Sequence, residues 1–350
     1  MNHTIIEKDI LSVVNRLPKD KVARLSGKRV LVTGGNGFLG SYLVFALAEL
    51  SRRLEKPMEI VSLDIKEKKE FSSLGVHTLV RDVTEPWDAG TASDKVPKSD
   101  FILFAAGIAS PVLYRREPLK TLDITVQGLR HALEHARHYD GFQSLVYFST
   151  SEVYGDPDPK AVPTDESYRG NVATMGPRAC YDESKRLGET LAYIYQAYCK
   201  VPVKVVRPFN VFGPGLSPED GRVLPDYLKK ILRNEDVVLY SDGTPTRTFC
   251  YIEDATVGFL LALLSQAEGE VFNIGSDTEE ISMKDLAKTF ISVTRPHLQI
   301  HLQASSEKDY LTDNPQRRKP NLEKSRNILN YHSQVTLAEG LKRYFAYYEK

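Results

Sequence analysis

The stretch VTGGNGFLG, residues 32–40, decides the fold. It lies between an apolar, β-branched run, RVLVT (29–33), and an amphipathic run, SYLVFALAELSRRLE (41–55). Four glycines fall within the seven positions 34–40. Glycine weakens both strands and helices, so such a cluster costs stability unless the backbone needs it. The order strand, glycines, helix supplies the need. A strand that turns tightly into a helix presents free amides and the positive end of the helix dipole. A pyrophosphate can approach those amides only where no side chain intervenes. Gly34, Gly37 and Gly40 give GxxGxxG, while Gly35, Gly37 and Gly40 also satisfy GxGxxG. In this context the stretch predicts a dinucleotide-binding turn.

Working outward, short β-branched runs alternate with longer helical ones. EIVSLD (59–64), HTLVRDV (77–83), FILFAA (101–106), SLVYFST (144–150) and VKVVR (203–207) predict strands, and EVFNIG (270–275) one more in the same sheet. Helices are expected over about 118–138 and from Tyr181 to Cys199. Strands apolar on both faces and separated by helices predict an α/β fold, a Rossmann-like doubly wound parallel sheet. Pro and Gly become frequent over 208–225, and DVVLY (236–240) predicts a short strand. The organisation expected is an N-terminal helical extension (1–26), a dinucleotide-binding domain (27–208, its sheet completed by about 245–280) and a smaller, interleaved substrate domain (209–244 and 281–350).

Composition excludes several classes. Lys+Arg and Asp+Glu are both 46, so the net charge of zero argues against nucleic-acid or anionic-membrane partners. No window has the apolar length of a membrane span, and the N-terminus is broken by charges. Cys180, Cys199 and Cys250 are odd in number and lack CxxC spacing, so neither a disulfide framework nor a metal site is expected. A cytoplasmic setting follows as the expectation. Ile6, Ile10, Val13, Val14 and Leu17 recur at helical spacing before Pro18, which predicts a helix packed on the domain surface or, alternatively, an oligomer contact.

The chemistry concentrates in two stretches. In YDESK, Tyr181 and Lys185 stand four apart on one helix face, and Tyr181 is the only tyrosine followed at that spacing by lysine. A neighbouring ammonium is expected to lower the phenol's pKa and make it a proton acceptor. STSEVYG (149–155) ends the fifth strand, where open α/β sheets bind ligands, so Thr150 is placed to hydrogen-bond a reacting hydroxyl and Glu152 offers a carboxylate. Asp64 closes the second strand, where an acid meets ribose hydroxyls and repels a 2′-phosphate; the alternative is a plain turn residue.

RDVTEPW (81–87), ASPVLYRREPLKTL (109–122), STSEVYGDP (149–157), GNVATMGPRACYDESKR (170–186) and DNPQRRKPN (313–321) together carry a wider resemblance. From about residue 28 to about 345 the chain resembles the extended short-chain dehydrogenase/reductases that act on nucleotide sugars, and within them the UDP-glucuronate decarboxylase branch. Sugar 4,6-dehydratases of this family carry Thr-Asp-Glu after the fifth strand, with the Asp as acid and the Glu as base. Here the middle residue is Ser151, and Thr-Ser-Glu is the decarboxylase pattern. Simple 4-epimerases typically lack the glutamate.

The resemblance implies NAD as cofactor, held by Gly34, Gly37, Phe38, Leu39, Gly40, Asp64, Asp82, Val83, Ala105, Ala106, Gly107, Tyr181, Lys185 and Pro208. It implies Tyr181, Lys185, Thr150, Glu152 and Arg247 as catalytic, and Ser110, Arg178, Asn210, Arg247, Tyr251 and Arg318 as contacts to a nucleotide-sugar substrate. Without the family, Arg247 reads first as a surface charge, and Arg318 equally as part of a solvated basic run. The implied reaction oxidises C4 of a nucleotide-linked uronic acid, releases CO2 from the resulting β-keto acid and returns the hydride. A 4,6-dehydratase, an epimerase and a non-enzymatic NAD-binding regulator stay as alternatives. Gly213-Pro214-Gly215, where the family continues Gly-Pro-Arg, and the basic pair Arg115–Arg116 leave the nucleotide and sugar open. Family members dimerise through helices corresponding to 118–138 and 181–199, and Leu187, Leu191, Ile194 and Tyr198 put apolar groups on more than one helix face, so a homodimer is expected.

Overall fold

All seven strands of the main sheet run parallel. The computed structural model describes residues 3–91, 95–303 and 315–349; Asp313 and Asn314 of the quoted DNPQRRKPN stretch, like 304–312, lie outside these. Along the chain come β1 (Arg29–Thr33), β2 (Glu59–Asp64), β3 (His77–Val80), β4 (Phe101–Phe104), β5 (Ser144–Phe148) and β6 (Val203–Pro208). Then follow β7 (Val211–Phe212), β8 (Val237–Leu239), β9 (Thr246–Arg247), β10 (Cys250–Tyr251), β11 (Val271–Ile274), β12 (Ile281–Ser282), β13 (Ile300–Leu302) and β14 (Arg317–Arg318). The sheet order is β3-β2-β1-β4-β5-β6-β11, with Val30 opposite both Ile60 and Phe101. The order therefore reverses between β1 and β4, which opens a crevice at their C-terminal ends.

Alternation along each strand feeds two cores. Val30 and Val32 face the helices His3–Asn15, Phe38–Ser51 and Ile252–Leu264, while Leu31 faces Leu129–Arg137 and Ala179–Cys199. The N-terminal helix buries Ile6, Ile10, Val13 and Val14 against Phe38–Ser51 and Ile252–Leu264. Its apolar face is thus spent within the chain, not on an oligomer contact.

Two expected strands end early because their last residues make other hydrogen bonds. FILFAA stops as a strand at Phe104, and Ala106 leaves the ladder to donate its amide to Thr33 Oγ1 at 3.2 Å. HTLVRDV stops at Val80, and Asp82 instead accepts from the amide and hydroxyl of Thr84. The 118–138 helix forms, with a wide π turn at Ile124–Gly128 between Pro118–Asp123 and Leu129–Arg137. At Gly128 a Cβ would meet Val83 Cγ2 at 2.8 Å.

Three small sheets accompany the main one: β10 beside β7, β12-β9-β14, and β13 beside β8. In the second, Arg318 lies opposite Arg247 in a parallel pair.

Candidate active site

The glycine turn is built by contact. Gly34 has φ +69°, and a Cβ there would lie 2.8 Å from Ala106 Cα. A Cβ on Gly40 would lie 2.1 Å from the Gly34 carbonyl oxygen, so the helix can begin this close to β1 only without a side chain. Gly37 occupies the N-cap of Phe38–Ser51 and supplies no side-chain acceptor, which leaves the first amides for a ligand. Asp64 accepts from the Asn36 amide at 3.0 Å and from the Lys66 amide at 3.3 Å. It is therefore both a turn residue and a carboxylate fixed beside the glycine turn. A carboxylate has further lone pairs for a hydroxyl ligand.

Tyr181 begins the second residue pair of the crevice. Its helix, Ala179–Cys199, brings Lys185 one turn further on, and both side chains are buried. The Thr150 hydroxyl hydrogen-bonds the Tyr181 hydroxyl, and Tyr114 stacks on the Tyr181 ring at 5.2 Å. The Lys185 ammonium donates to the Phe148 carbonyl at 2.7 Å and lies 6.0 Å from the Tyr181 ring centre. A Cβ on Gly107 would come 3.5 Å from that ammonium, so the loop after β4 faces the same point.

The electrostatics correct one expectation. Burial pushes the Tyr181 phenol up to about 12, although its bond to Thr150 and the charge of Arg222 act in the opposite direction. The Lys185 ammonium, 6.0 Å from the ring centre, is not among the main influences on the phenol, and burial decides its direction. Burial lowers Lys185 itself to about 8, against the pull of Glu189.

Glu152, at the end of β5, is the centre of a charged cluster. Arg318 grips it with both terminal nitrogens (Nη2 to Oε2 2.8 Å), and Arg178 Nη2 bonds the same Oε2. Burial would raise the Glu152 pKa, but Arg318 and Arg178 outweigh it and hold the carboxyl well below the usual range. Arg178 also reaches Asp182 at 3.5 Å, whose carboxyl is raised by burial and by Glu152. Arg247 stands beside them, lowered to about 9 by burial first and by Arg318 next. Three guanidiniums face Glu152, Asp182 and, beside Arg247, Asp156, so fork-shaped donors that suit an anion gather where β5 ends. Arg247 and Arg318 are 7% and 4% exposed, so neither is the surface charge that composition alone allowed.

Residues 30–275 match the model of the NAD dependent epimerase/dehydratase family. The chain belongs to that family. UDP-glucuronic acid decarboxylase 6 of Arabidopsis thaliana is 34% identical over 318 residues, 90% of this chain and 87% of the relative. UDP-glucuronic acid decarboxylase 1 of Danio rerio is 32% identical over 344 residues, 97% of this chain and 77% of the relative. Among solved structures, the UDP-glucose 4-epimerase of Thermotoga maritima superimposes with a TM-score of 0.79 at 23% identity, over 91% of this chain and 98% of that one. The UDP-glucuronic acid 4-epimerase of Bacillus cereus, solved with UDP-glucuronic acid and NAD, gives 0.73 at 23% over 91% and 98%. NAD is the cofactor of this epimerase/dehydratase family, and the turn that has no room for a Cβ at Gly34 and Gly40, with the carboxylate of Asp64 at its edge, fits it.

Not every residue expected from the sequence reaches the crevice free. Tyr251 is the clearest correction: it is 1% exposed, and its hydroxyl is bonded to Asp9 of the N-terminal helix, away from the cluster. Asn210 spends its amide nitrogen on the Thr248 carbonyl at 2.8 Å, and Ser110 spends its hydroxyl proton on the Asp220 carbonyl at 2.7 Å. Val83 is buried under Trp87 and His131, which both bond its carbonyl. Pro208 ends β6 opposite Ile274, Phe38 packs edge-on to Tyr42, and Leu39 packs against the core.

Sequence reasoning missed Tyr114, Asp182, Glu189 and Arg222. Tyr114 and Asp182 sit inside stretches already quoted for the resemblance, but no spacing rule separates them from their neighbours. Glu189 pairs with Arg207 at 2.6 Å and accepts from Ser149 at 2.5 Å. Its place one turn beyond Lys185 was the available signal.

Proposed function

We propose that this protein decarboxylates a nucleotide-linked uronic acid, UDP-glucuronate to UDP-xylose in type. The single observation that carries the reading is the clamped carboxylate of Glu152 after Thr150 and Ser151. A dehydratase needs that glutamate as a base, yet two guanidiniums hold it ionised and engaged. Loss of CO2 requires no proton to be taken at the neighbouring carbon. The decarboxylase relatives support the same reading.

In this reading Tyr181 takes the C4 hydroxyl proton, with Thr150 holding the oxygen and Lys185 keeping positive charge beneath it. NAD, when bound, supplies the acceptor and later the donor of hydride. Oxidation at C4 makes the substrate a β-keto acid, whose C5–carboxyl bond breaks to release CO2 with its electron pair passing to the ketone as an enolate. C5 then takes a proton from water, and Tyr181 gives its proton back to the C4 oxygen as that carbon is reduced again. Arg178, Arg247 and Arg318 hold the substrate's anionic groups, and burial of the pair Tyr181–Lys185 keeps water from C4. Residues 27–208, completed by about 245–280, form the cofactor side, and 209–244 with 281–350 the substrate side. A homodimer through the helices at 118–138 and 179–199 fits the exposure of Leu119, Leu122, Leu187, Ile194 and Tyr198.

The test is product mass after incubation with NAD and UDP-glucuronate, then UDP-glucose and UDP-galacturonate. Loss of the mass of CO2 from the glucuronate, abolished in Tyr181→Phe, is expected. Loss of water from the glucose substrate assigns a dehydratase, and an isomer of unchanged mass an epimerase. NAD binding without conversion of any substrate favours the regulatory alternative.

A further inference from the structure

One buried carboxylate joins parts of the chain that the crevice needs at a fixed spacing. Asp9, on the N-terminal helix, is 1% exposed and accepts from three separate elements. Tyr42, on the helix of the glycine turn, donates to Oδ2 at 3.0 Å. Tyr251, in β10, donates to the same oxygen at 2.7 Å. Arg343, on the C-terminal helix Leu337–Tyr348, reaches Oδ1 at 3.1 Å and Glu253 at 3.0 Å. Ser12 and Arg16, one and two turns beyond Asp9, bond Glu253, and Arg16 also bonds Asp254 at 2.6 Å.

Two of these arms, through Tyr42 and Tyr251, lead to the crevice. Tyr42 lies one turn beyond Phe38, the first residue of the glycine-turn helix, and their rings meet edge-on at 6.3 Å. Tyr251 pairs with Phe212 in the β10–β7 ladder, and Cys250 donates its amide to the Asn210 carbonyl. Asn210 in turn holds the Thr248 carbonyl, directly after Arg247. The span from Asp9 to Arg247 is thus covalent or hydrogen-bonded throughout. Asp9 and Arg343 both fall outside residues 30–275, which match the family model.

We propose that Asp9 is a positioning residue: through Tyr42 and Tyr251 it fixes the glycine-turn helix relative to the strand that presents Arg247, so that the N-terminal helix sets the width of the crevice. The part given to Arg247 rests on the function proposed above; the mechanical link does not. A packing role alone predicts lower stability for variants but no loss of communication between the two sides. A positioning role predicts that an event at the glycine turn is felt at residues 246–251 only through Asp9.

The experiment is hydrogen exchange of the full chain with and without NAD, read on the peptide spanning 246–251. In the wild type NAD is expected to slow exchange there by about threefold or more. In Asp9→Ala and Asp9→Asn, NAD still binds in direct titration, but that slowing falls to less than about a third of its wild-type size. Tyr251→Phe keeps the ring packed and removes only the bond, and it gives the same loss even where an Asp9 variant fails to fold. Slowing that persists unchanged in these variants, or that is absent from the wild type, overturns the proposal. Turnover of UDP-glucuronate is measured in parallel, and its failure in the wild type counts against the decarboxylase reading alone.

Discussion

Arg318 holds Glu152 in a two-nitrogen grip across 166 residues of chain, and Arg178 closes on the same carboxylate from the other side. Glu152→Gln leaves two buried guanidiniums without their anion, which is expected to cost on the order of 3 kcal/mol. The pH dependence has a definite sign. The Glu152 carboxyl is held below its unfolded value, so its contribution is present above the ordinary carboxylate range and is lost as pH falls through and below it. Thermal unfolding of both proteins is expected to differ most near neutrality and to converge in acid; a constant gap across that range contradicts the clamp. Arg318→Lys cannot reproduce the fork and is expected to behave like a loss.

Lys185 carries its charge only below about 8. Activity that depends on that ammonium is expected to decline as pH rises through this value. Glu189 opposes the lowering, so Glu189→Gln moves the alkaline limb of kcat/KM to lower pH. An unmoved limb assigns it to another group. Tyr181→Phe, which removes the proton acceptor and leaves the stack with Tyr114, is expected to cost about a hundredfold or more in kcat with little change in stability.

Two glycines of the turn differ in what a methyl group would strike. At Gly40 it meets the Gly34 backbone at 2.1 Å, whereas at Gly35 it meets the Ser62 hydroxyl at 2.0 Å. Both alanine variants are expected to lose roughly 1–3 kcal/mol and to weaken NAD binding. Only Gly35→Ala is expected to recover when Ser62→Ala is added, as unfolding midpoints and NAD titrations of the double variants will show. Recovery of Gly40→Ala by the same change means that the helix start has shifted.

The exposed apolar stripe on Ala179–Cys199 gives a test of assembly. Ile194 and Tyr198 are 39% and 75% exposed, one turn apart. Ile194→Asp with Tyr198→Asp is expected to convert a dimer to monomer by sedimentation, with the fold retained. A monomeric wild type disposes of the interface.

Local pattern told most where local physics decides. The strand and glycine spacing of 29–40 foretold the parallel sheet and the turn, because a turn with no room for Cβ admits few sequences. Tyr181, Lys185 and Thr150 were legible because one helical turn and one strand end bring them together. The state of Glu152 was not legible: its partners lie 26 and 166 residues away, and no periodicity links them. Tyr251 failed for the same reason. Its hydroxyl answers to Asp9, 242 residues earlier, and at Tyr181 burial, which no spacing reveals, sets the direction of the phenol.

The stitching of β14 to β9 has a consequence for how the molecule is made. Arg318 is drawn to Glu152 by a strand that pairs Arg317–Arg318 with Thr246–Arg247, and the next turn bridges Pro320 to Thr164. The seven-stranded sheet is complete in sequence at Ile274, well before those residues leave the ribosome. A growing chain halted near residue 300 therefore holds every strand of the dinucleotide fold yet lacks the arginine that closes the anion cluster. In the order of synthesis the strands around the glycine turn come first, and the arginine that grips Glu152 comes last.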